Sequence, residues 1–363
     1  MIQLKDIGKF DVLPEIAMHI VEGNISALRQ ALTEGWDIEQ EIKLSKYSTL
    51  SPLDLALICE RLDVLKLLVE QGAQLNAKDR PAFLTAVRYC SEEIVRYVVA
   101  HGAKLDGKNQ VIAGAYEQAY YGNKKNILLI HELGLDVKQH GGATLRNAVS
   151  NHDLNTVALL LEHGVDINYN APNMVYPYKA TPLTVAARNN DFAMVKYLVE
   201  YGADVTLAEK DGDRAYTIAV SNKNVEMAEY LKSVEPPAFH NLENKRHTLK
   251  SYKLPKDLVA FLMGDQLRVD LPENDLGIQF VEFFSFIDTV EMKVGRQKLL
   301  RLSLNVDNYS DILLVWNPKH KCLGYYDEEH QEYADVCSFA EFLAQPEDYL
   351  EKMIEGEIFI LMR

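Results

Sequence analysis

A glycine-terminated apolar pattern recurs through the first two-thirds of this 363-residue chain and constrains its fold more than any other feature. Each copy ends a run of apolar residues with a glycine, at Gly35, Gly72, Gly102, Gly134, Gly164 and Gly202. Successive glycines are separated by 37, 30, 32, 30 and 38 residues, which indicates a period of about 33. Such a repeat predicts a solenoid of stacked helical units, because each unit buries its apolar face only against its neighbours. An unrelated helical bundle with coincidental glycines is the alternative.

A second motif lies before two of these glycines. Ser51–Ala56 reads Ser-Pro-Leu-Asp-Leu-Ala and Thr181–Ala186 reads Thr-Pro-Leu-Thr-Val-Ala, each ending 16 residues before its glycine. Ser or Thr caps a helix, proline fits the first turn of that helix, and the glycine ends the second helix of the pair. Both segments resemble the T-P-L-H-x-A motif of ankyrin repeats. The resemblance implies an α-solenoid of about seven ankyrin repeats over residues 10–235, which presents a binding surface and no catalytic pocket.

Two repeats carry insertions, at residues 38–48 and 169–178. Insertions in a solenoid fall on one face, which is often the binding face. The second insertion contains Tyr169, Tyr176 and Tyr178 together with a methionine and two prolines, a composition typical of interface anchors. We expect these tyrosines to contact a partner. The alternative is that they only cover a longer hairpin against its neighbour.

The concave face of an ankyrin array supplies a second set of candidate binding residues. Positions shortly after the first-helix alanine of each repeat tend to face the partner, and Ala86, Gln118 and Ala186 are aligned as that position. The alignment selects Arg88, Tyr89, Tyr120, Tyr121, Arg188 and Asn189. Tyr and Arg dominate binding hot spots, so we predict that this face binds a partner. Stacking between neighbouring repeats is the alternative for the tyrosines.

The repeat pattern ends at the paired prolines Pro236 and Pro237, which cannot continue the preceding helix. Beyond about residue 250 the pattern changes to a helix that begins near Pro255, then strand-like segments, and finally closing helices, of which one is capped at Ser338. The strand-like segments are residues 278–281, 300–304, 312–316, 322–326 and 332–336. This order predicts an α+β domain with a mainly antiparallel sheet over residues 250–363.

That order of elements resembles the SUKH superfamily, the Smi/Knr-type domains abundant among bacterial immunity proteins. The matching segments are Leu254–Leu262, Ile312–Trp316, Tyr325–Val336 and Ser338–Leu343. The sequence departs from the family at residues 263–266, where Met-Gly-Asp-Gln stands in place of a glycine-rich segment. The resemblance implies a non-enzymatic binder, since many members of the family neutralise a cognate toxin.

Motifs that carry chemistry are absent from the sequence. It has no glycine-rich phosphate loop, no H-E-x-x-H motif and no C-x-x-C pair. The nearest set of metal-binding residue types is His320, Cys322, His330 and Cys337. The spacing of this set fits no zinc template, so we expect structural or exposed roles for these four residues. Because no Ser-His-Asp or Cys-His nucleophile is apparent either, we predict a protein that is not an enzyme and uses no cofactor and no metal.

Charge and cysteine content restrict the compartment and the partners. The chain holds 38 basic and 53 acidic residues, a net charge of −15, so it repels nucleic acid and anionic membranes. No stretch reaches 18 uncharged apolar residues, and the first residues lack the apolar core of a signal peptide. We expect the four cysteines to be reduced thiols. We therefore expect a cytoplasmic protein with a protein partner, no nucleic acid and no membrane; the oligomeric state is left open.

Acidic residues concentrate near the C-terminus, where residues 302–363 contain 13 acidic and 4 basic residues. Five of them fall within nine residues, too densely to pair with the few local lysines: Asp327, Glu328, Glu329, Glu332 and Asp335. One interpretation is a solvated surface that promotes solubility. The other is complementarity to a basic partner, such as a nuclease domain, which would speed association.

The sequence thus favours a cytosolic bacterial immunity protein that neutralises a cognate, basic toxin by direct binding. Two alternatives stay open. One is a cytosolic ankyrin scaffold or regulatory adaptor that binds endogenous proteins, and the other is a secreted effector.

Overall fold

Two helices of this chain begin, and two others end, at the residues that the sequence predicts for these positions. The side chains of Ser51 and Thr181 each accept a hydrogen bond from the backbone N–H three residues later, at 3.0 and 3.1 Å. Gly72 and Gly202 have φ angles of +88° and +95°, a left-handed conformation that glycine adopts without steric strain. The predicted helix caps and glycine stops are confirmed at these four positions.

The computed structural model describes residues 2–355. The chain divides into two compact units. The first unit comprises residues up to 148 together with residues 153–166. The second unit comprises residues 149–152 together with the chain from residue 167 onward. The domain boundary expected between residues 235 and 250 lies inside the second unit and stays a prediction. Residues 356–363 of the predicted α+β domain lie outside the described residues.

The first unit contains two short antiparallel hairpins and a series of paired helices. Its strands are β1 Ile2–Leu4, β2 Gly8–Phe10, β3 Ile42–Lys43 and β4 Thr49–Leu50. Its helices begin with α1 Glu15–Glu22, α2 Ile25–Thr33, α3 Pro52–Ile58, α4 Leu62–Glu70, α5 Ala82–Tyr89, α6 Glu92–Ala100 and α7 Gln110–Ala113. They continue with α8 Ala115–Tyr121, α9 Asn126–Glu132, α10 Val137–His140, α11 Gly142–Ser150, whose last residues belong to the second unit, and α12 Leu154–Glu162.

The second unit begins with helix pairs and continues into a sheet-rich region. Its helices are α13 Pro182–Arg188, α14 Phe192–Glu200, α15 Ala215–Ser221, α16 Val225–Val234, α17 Leu242–Leu249, α18 Lys256–Leu262, α19 Phe339–Ala344 and α20 Pro346–Ile354. Its strands are β5 Arg268–Asp270, β6 Phe280–Phe283, β7 Val290–Val294, β8 Gln297–Arg301, β9 Ser303–Val306, β10 Ile312–Asn317, β11 Cys322–Asp327 and β12 Glu332–Cys337. Among residues 2–355, no helix has the length and apolar character needed to cross a membrane.

Two antiparallel sheets share one continuous segment of the second unit. The larger sheet has the strand order β12-β11-β10-β8-β7, and the smaller has the order β5-β6-β9. Leu302 alone separates β8 from β9; its N–H donates to the Leu314 carbonyl and its own carbonyl accepts from the Phe284 N–H, both at 2.8 Å. The chain therefore passes from one sheet to the other without a loop, and the antiparallel character expected for this region is observed.

The larger sheet buries a different apolar cluster on each of its faces. On one face Trp316 packs among the side chains of the C-terminal helices, and its indole N–H donates to the Tyr252 carbonyl at 2.9 Å. The other face carries a smaller buried cluster of Met292, Leu299, Leu313 and Val315, with Tyr326 and Tyr333 half-buried at its margin. This second face positions the candidate site described below.

Three elements of the second unit were not expected from the sequence. Helix α17 has a mainly polar sequence, Leu-Glu-Asn-Lys-Arg-His-Thr-Leu, so its apolar periodicity is weak. Strand β5 has only three residues. Strand β7 does alternate buried Val290 and Met292 with exposed Glu291 and Lys293, and this period-2 pattern is a signal that the sequence contains.

Replacing Ser51 with alanine should lower the free energy of unfolding by about 1 kcal/mol, because the N-terminus of α3 then loses its side-chain hydrogen bond. The Ser51→Thr variant keeps a capping oxygen and should stay close to the wild type. Urea unfolding followed by far-UV circular dichroism measures both. Equal losses in the two variants would show that the cap does not stabilise the helix.

Candidate functional site

A tight turn between α14 and α15 brings three carboxylates together. In this turn the Glu209 N–H donates to the Asp213 carbonyl at 2.8 Å, and the Gly212 N–H donates to the Glu209 carbonyl at 3.1 Å. Gly212 has φ of +93°, and a Cβ built on it would lie 2.2 Å from the Glu291 carbonyl oxygen of β7. Glycine is therefore required at the point where this turn meets the edge of the larger sheet.

Two arginines pair with the carboxylates of the turn. The Arg188 guanidinium contacts Glu209 directly and lies 4.0 Å from the Asp211 carboxylate and 3.9 Å from that of Asp213. The Arg301 Nη1 donates to Asp213 Oδ2 at 3.0 Å. Together with the nearby Glu328 these residues form what we call the buried charge cluster: Arg188, Glu209, Asp211, Asp213, Arg301 and Glu328.

The buried charge cluster has an excess of negative charge, because four carboxylates face two guanidinium groups. Burial raises the pKa of Glu328 to about 7, with a further contribution from Asp211. Burial likewise raises the pKa of Glu209 to about 7, although Arg188 opposes the rise. Two acids of this cluster are thus partly protonated near neutral pH, which is typical of functional sites.

A cleft of about 480 Å³ opens beside the buried charge cluster. We call it the hairpin cleft; its lining includes Tyr178, Arg188, Lys210, Asp211, Met292, Lys293, Asp311, Tyr326, Glu328 and Glu329, together with Met174, Val175, Pro177 and Gln331. Four residues that the sequence predicts as partner-binding line it, namely Tyr178, Arg188, Glu328 and Glu329. The structure therefore brings together parts of all three predicted sets: the insertion, the concave face and the acidic hairpin.

The insertion at residues 169–178 presents apolar side chains at this cleft. The side-chain oxygen of Asn173 accepts hydrogen bonds from the N–H groups of Val175 at 3.1 Å and Tyr176 at 2.7 Å, which fixes a local turn. Met174 is fully exposed and Val175 is 66% exposed. Exposed apolar side chains on an ordered loop are typical of a contact surface.

The other tyrosines of the insertion and the concave-face Asn189 lie away from this cleft lining. Tyr176 is buried and meets the Tyr178 ring edge-on at a centroid distance of 6.2 Å. Tyr169 is half-buried, and the Asn189 side chain donates to the Ser150 carbonyl at 3.1 Å. Burial of Tyr176 agrees with the alternative in which it covers a longer hairpin, whereas Tyr178 both packs and lines the cleft.

In the first unit, the predicted residues Arg88 and Tyr89 are covered by the β1–β2 hairpin. Asp6, in the turn of that hairpin, forms an ion pair with Arg88 and accepts a hydrogen bond from the Tyr89 hydroxyl at 2.6 Å. Lys5 lies 2.8 Å from the Glu60 carboxylate in the same place. These two concave-face residues therefore make contacts within the chain, and their role in partner binding stays a prediction.

The alignment that selects Tyr120 and Tyr121 is one residue out of register. Helix α8 begins at Ala115, so the fully buried Ala119 and not Gln118 is the counterpart of Ala86 in α5. Tyr120 consequently occupies a core position and is 4% exposed, whereas Tyr121 is 56% exposed. The prediction that Tyr120 faces a partner is wrong because its ring is buried, and partner binding by the exposed Tyr121 stays a prediction.

The acidic hairpin holds two of its five carboxylates internally. Asp327 accepts hydrogen bonds from the backbone and the ring of His330, at 3.0 and 2.8 Å. Burial opposes ionisation of Asp335, but hydrogen bonds from Tyr333 and Asn317 outweigh it and lower the pKa of Asp335. The partners of these two carboxylates are therefore histidine, tyrosine and asparagine side chains rather than lysines, and the role of both in partner binding stays a prediction.

The remaining acids of the hairpin differ in exposure. Glu329 is exposed, Glu332 is half-buried on β12, and Glu328 is half-buried as a member of the buried charge cluster. The backbone N–H of Glu328 donates to the Asp311 carbonyl at 2.9 Å, which ties the turn to the start of β10. Glu328 and Glu329 thus reach the hairpin cleft from one turn, and Glu332 is not among its lining residues.

The set of His320, Cys322, His330 and Cys337 is not assembled into one site. His320 contacts Asp335, whereas His330 contacts Asp327. Within the described part of the chain, no group of three or more His, Cys, Asp or Glu side chains is placed to hold a metal ion.

Comparison with known families identifies the helix pairs. A model of ankyrin repeats in three copies matches residues 145–243, and a single-repeat ankyrin model matches residues 50–80. The chain carries ankyrin repeats. The second insertion, Arg188 and the turn with Glu209, Asp211 and Asp213 all lie within the segment matched as three ankyrin repeats, so one side of the hairpin cleft is built from ankyrin repeats.

Two curated relatives and one solved structure are similar to parts of this chain. The B-cell lymphoma 3 protein homolog of Mus musculus is 26% identical over 221 residues, which cover 57% of this chain and 48% of the relative. The ankyrin repeat and KH domain-containing protein mask-1 of Caenorhabditis elegans is 23% identical over 186 residues, which cover 50% of this chain and 7% of the relative. The human ASB11 ankyrin repeat domain superimposes with a TM-score of 0.47 at 20% identity, covering 61% of this chain and 99% of that domain. The chain spans less than half the length of both curated relatives.

Replacing Glu328 with glutamine should stabilise the fold at pH 8 relative to the wild type and change it little at pH 5. The pKa of Glu328 is about 7 in the folded protein against an ordinary value of 4.5, so its contribution to stability is present below pH 4.5 and lost as the pH rises through 7. Urea unfolding at the two pH values measures the difference. A variant that is less stable than the wild type at pH 8 would show that the ionised Glu328 stabilises the fold.

Proposed function

We propose that this protein is a non-catalytic binder of a protein partner and that the hairpin cleft is a principal contact. The observation that carries the proposal is the composition of the cleft, in which exposed Met174 and Val175 accompany Glu328 and Glu329. Apolar anchors beside charged residues are typical of protein interfaces. The ankyrin repeats support the same function, because stacked repeats offer an extended binding surface.

The finer proposal is that the partner is a toxin and the protein is its bacterial immunity protein. The order of elements in residues 256–344, a helix followed by antiparallel strands and a capped helix, supports the resemblance to SUKH domains. Four acids and three basic residues line the cleft, whereas the whole chain carries a net charge of −15. The charge of the whole chain would speed association with a basic toxin, such as a nuclease domain. Neutralisation would then require only that the bound protein cover or distort the toxin's active site.

Buried thiols support the non-catalytic and cytoplasmic parts of the proposal. Burial raises the pKa of Cys90, Cys322 and Cys337 to about 12 each. Thiols with such pKa values stay protonated near neutral pH and are poor nucleophiles. Free thiols are also the form that cysteine takes in a reducing compartment such as the cytoplasm.

A scaffold or regulatory adaptor that binds endogenous proteins is the second candidate function. The ankyrin repeats support it as well as they support the immunity proposal, because a repeat surface can bind a toxin or a host protein by the same physics. The two candidates differ only in what the partner does to the cell, and one experiment separates them.

The test is affinity capture from native cells with the tagged full chain, followed by mass spectrometry. We expect the wild type to retain a protein that the Glu328→Lys/Glu329→Lys double variant does not retain. A matched control is the Glu226→Lys/Glu229→Lys double variant, which makes the same charge change at exposed positions on α16. Equal capture by all three baits would exclude the cleft, and capture of nothing would contradict the binding function.

Expression of the captured protein in a host cell then distinguishes the two candidates. If that protein arrests growth and co-expression of this chain restores it, the immunity proposal is supported. A captured protein that does not harm the host would instead favour the scaffold.

A further inference from the structure

Two adjoining cavities meet at the buried charge cluster. The hairpin cleft shares Lys210, Met292 and Lys293 with a second cavity of about 410 Å³, which Glu209 also lines. Glu209 Oε2 pairs with Arg188, and the Thr184 hydroxyl is hydrogen-bonded to the same carboxylate, so Glu209 is held by residues of the chain. Glu209 lines the second cavity and not the hairpin cleft, so a ligand of the hairpin cleft meets the other carboxylates of the cluster.

Part of the excess negative charge of the cluster lies on side chains that line the hairpin cleft. Asp211 and Glu328 belong to the cluster and also line the cleft. Burial raises the pKa of Asp211, and the neighbouring Asp213 raises it further. Carboxylates whose ionised forms are destabilised in this way gain the most from a cation placed beside them.

Arg188 already shows how this site holds a guanidinium group. Its guanidinium carbon lies 5.2 Å from the centre of the Tyr178 ring while its nitrogens face the carboxylates of the turn. Tyr326 lines the same cleft close to Glu328 in the chain and offers a second aromatic face. An aromatic ring beside carboxylates suits arginine better than lysine, because the planar guanidinium stacks and donates two parallel hydrogen bonds.

We propose that the hairpin cleft takes an arginine side chain of the partner, presented on a basic segment whose neighbouring residues are apolar. This inference rests on the proposed protein-binding function and adds the chemistry that the cleft recognises. The arginine lies against Tyr326 and bonds to Glu328 and Asp211. The apolar neighbours cover Met174 and Val175, which stand exposed at the cleft.

A bound guanidinium stabilises the ionised form of Glu328, so binding releases a proton near neutral pH and tightens between pH 6 and pH 8. Glu328 has its pKa near 7 in the unbound protein. The charged groups around it come from the 209–213 turn, α13, β7, β8, the residue before β10 and the β11–β12 turn: Asp211, Asp213, Lys210, Arg188, Lys293, Arg301, Asp311 and Glu329. The fixed positive charges of this set lower the pKa of Glu328 only in part, since the carboxylates oppose them.

The test uses the full chain and the peptide acetyl-Gly-Leu-Arg-Leu-Gly-amide, with isothermal titration calorimetry at pH 6 and pH 8. We expect the wild type to bind the peptide severalfold more tightly at pH 8 than at pH 6. At pH 8 the Glu328→Gln variant should bind it at least tenfold more weakly than the wild type. The citrulline peptide, which keeps the shape and loses the charge, should bind at least tenfold more weakly. A peptide with lysine in place of arginine should bind severalfold more weakly.

The Glu229→Gln variant is the matched control, because Glu229 is exposed on α16 and is not among the residues lining the cleft. Its affinity should equal that of the wild type. Equal affinities for the arginine and citrulline peptides, or for the arginine and lysine peptides, would overturn the inference. Absence of peptide binding together with partner capture that depends on Glu328 would overturn the arginine inference alone. Absence of capture by the wild-type bait would overturn the proposed function itself.

Discussion

Replacing Arg301 with methionine should lower the free energy of unfolding by about 3–5 kcal/mol, because Asp213 then stays buried and charged without its main partner. The two side chains are 10% and 4% exposed, and their nitrogen and oxygen lie 3.0 Å apart. Arg301 also donates to the Ser303 carbonyl at 3.1 Å. Methionine keeps an apolar stem of similar length but removes the charge, the donors and the guanidinium carbon that lies 5.5 Å from the centre of the Phe284 ring. Urea unfolding monitored by tryptophan fluorescence in a Trp36→Phe background, which leaves buried Trp316 as the reporter, measures the loss.

A surface ion pair of the same kind provides the control for Arg301. Arg268 lies 2.6 Å from Asp270, but its side chain is 46% exposed, so Arg268→Met should change stability by less than about 1 kcal/mol. Adding Asp213→Asn to Arg301→Met removes the unpaired charge and should recover part of the loss. Similar losses for the Arg301→Met and Arg268→Met variants would contradict the buried pairing.

Local features of the fold could be read from the sequence because their causes are local. The cap at Thr181 and the stop at Gly202 each depend on residues within one helix turn of the helix end. The strand-like segments between residues 300 and 336 are likewise recognisable, since apolar runs and turn residues alternate there. Each of these features appears in the structure within a few residues of its predicted position.

The buried charge cluster could not be read in the same way, because its members are far apart in the chain. Arg301 and Asp213 are separated by 88 residues, and no periodicity connects them. The sequence does contain two separate signals. One is a charged residue inside the apolar run of residues 299–302, and the other is the group of three acids between residues 209 and 213. Both indicate buried charge that needs a partner, but neither identifies that partner.

The register error at Tyr120 comes from the spacing between α8 and the glycine of its repeat. The first-helix alanines Ala86 and Ala186 each lie 16 residues before their glycines, and the same count back from Gly134 gives Gln118. The observed helix start places the alanine at Ala119, only 15 residues before Gly134, so this repeat is one residue shorter between the two positions. A shift of one residue turns a helical side chain by about 100°, which is enough to move it from the surface into the core.

Replacing Gly212 with alanine should lower the free energy of unfolding by about 1–2 kcal/mol for its left-handed backbone and by a further ~1–3 kcal/mol for the steric overlap. Its φ is +93°, and a Cβ would lie 2.2 Å from the Glu291 carbonyl oxygen and 2.9 Å from Val290 Cγ1. Because the nearest atom belongs to the backbone of β7, the overlap is relieved only if the turn moves away from the sheet. Such a movement would separate Asp211 and Asp213 from their arginines.

Gly202 is the matched control for Gly212, since its φ is +95° and a Cβ there would meet no atom within 4 Å. The Gly202→Ala variant should therefore show the backbone strain alone, about 1–2 kcal/mol. Urea unfolding of both variants in the same Trp36→Phe background, followed by Trp316 fluorescence, gives the difference between them as the contribution of the close approach to β7. Equal losses at the two positions would show that the turn is not held against the sheet edge. Packing against β7 would then not be what positions the carboxylates of the buried charge cluster.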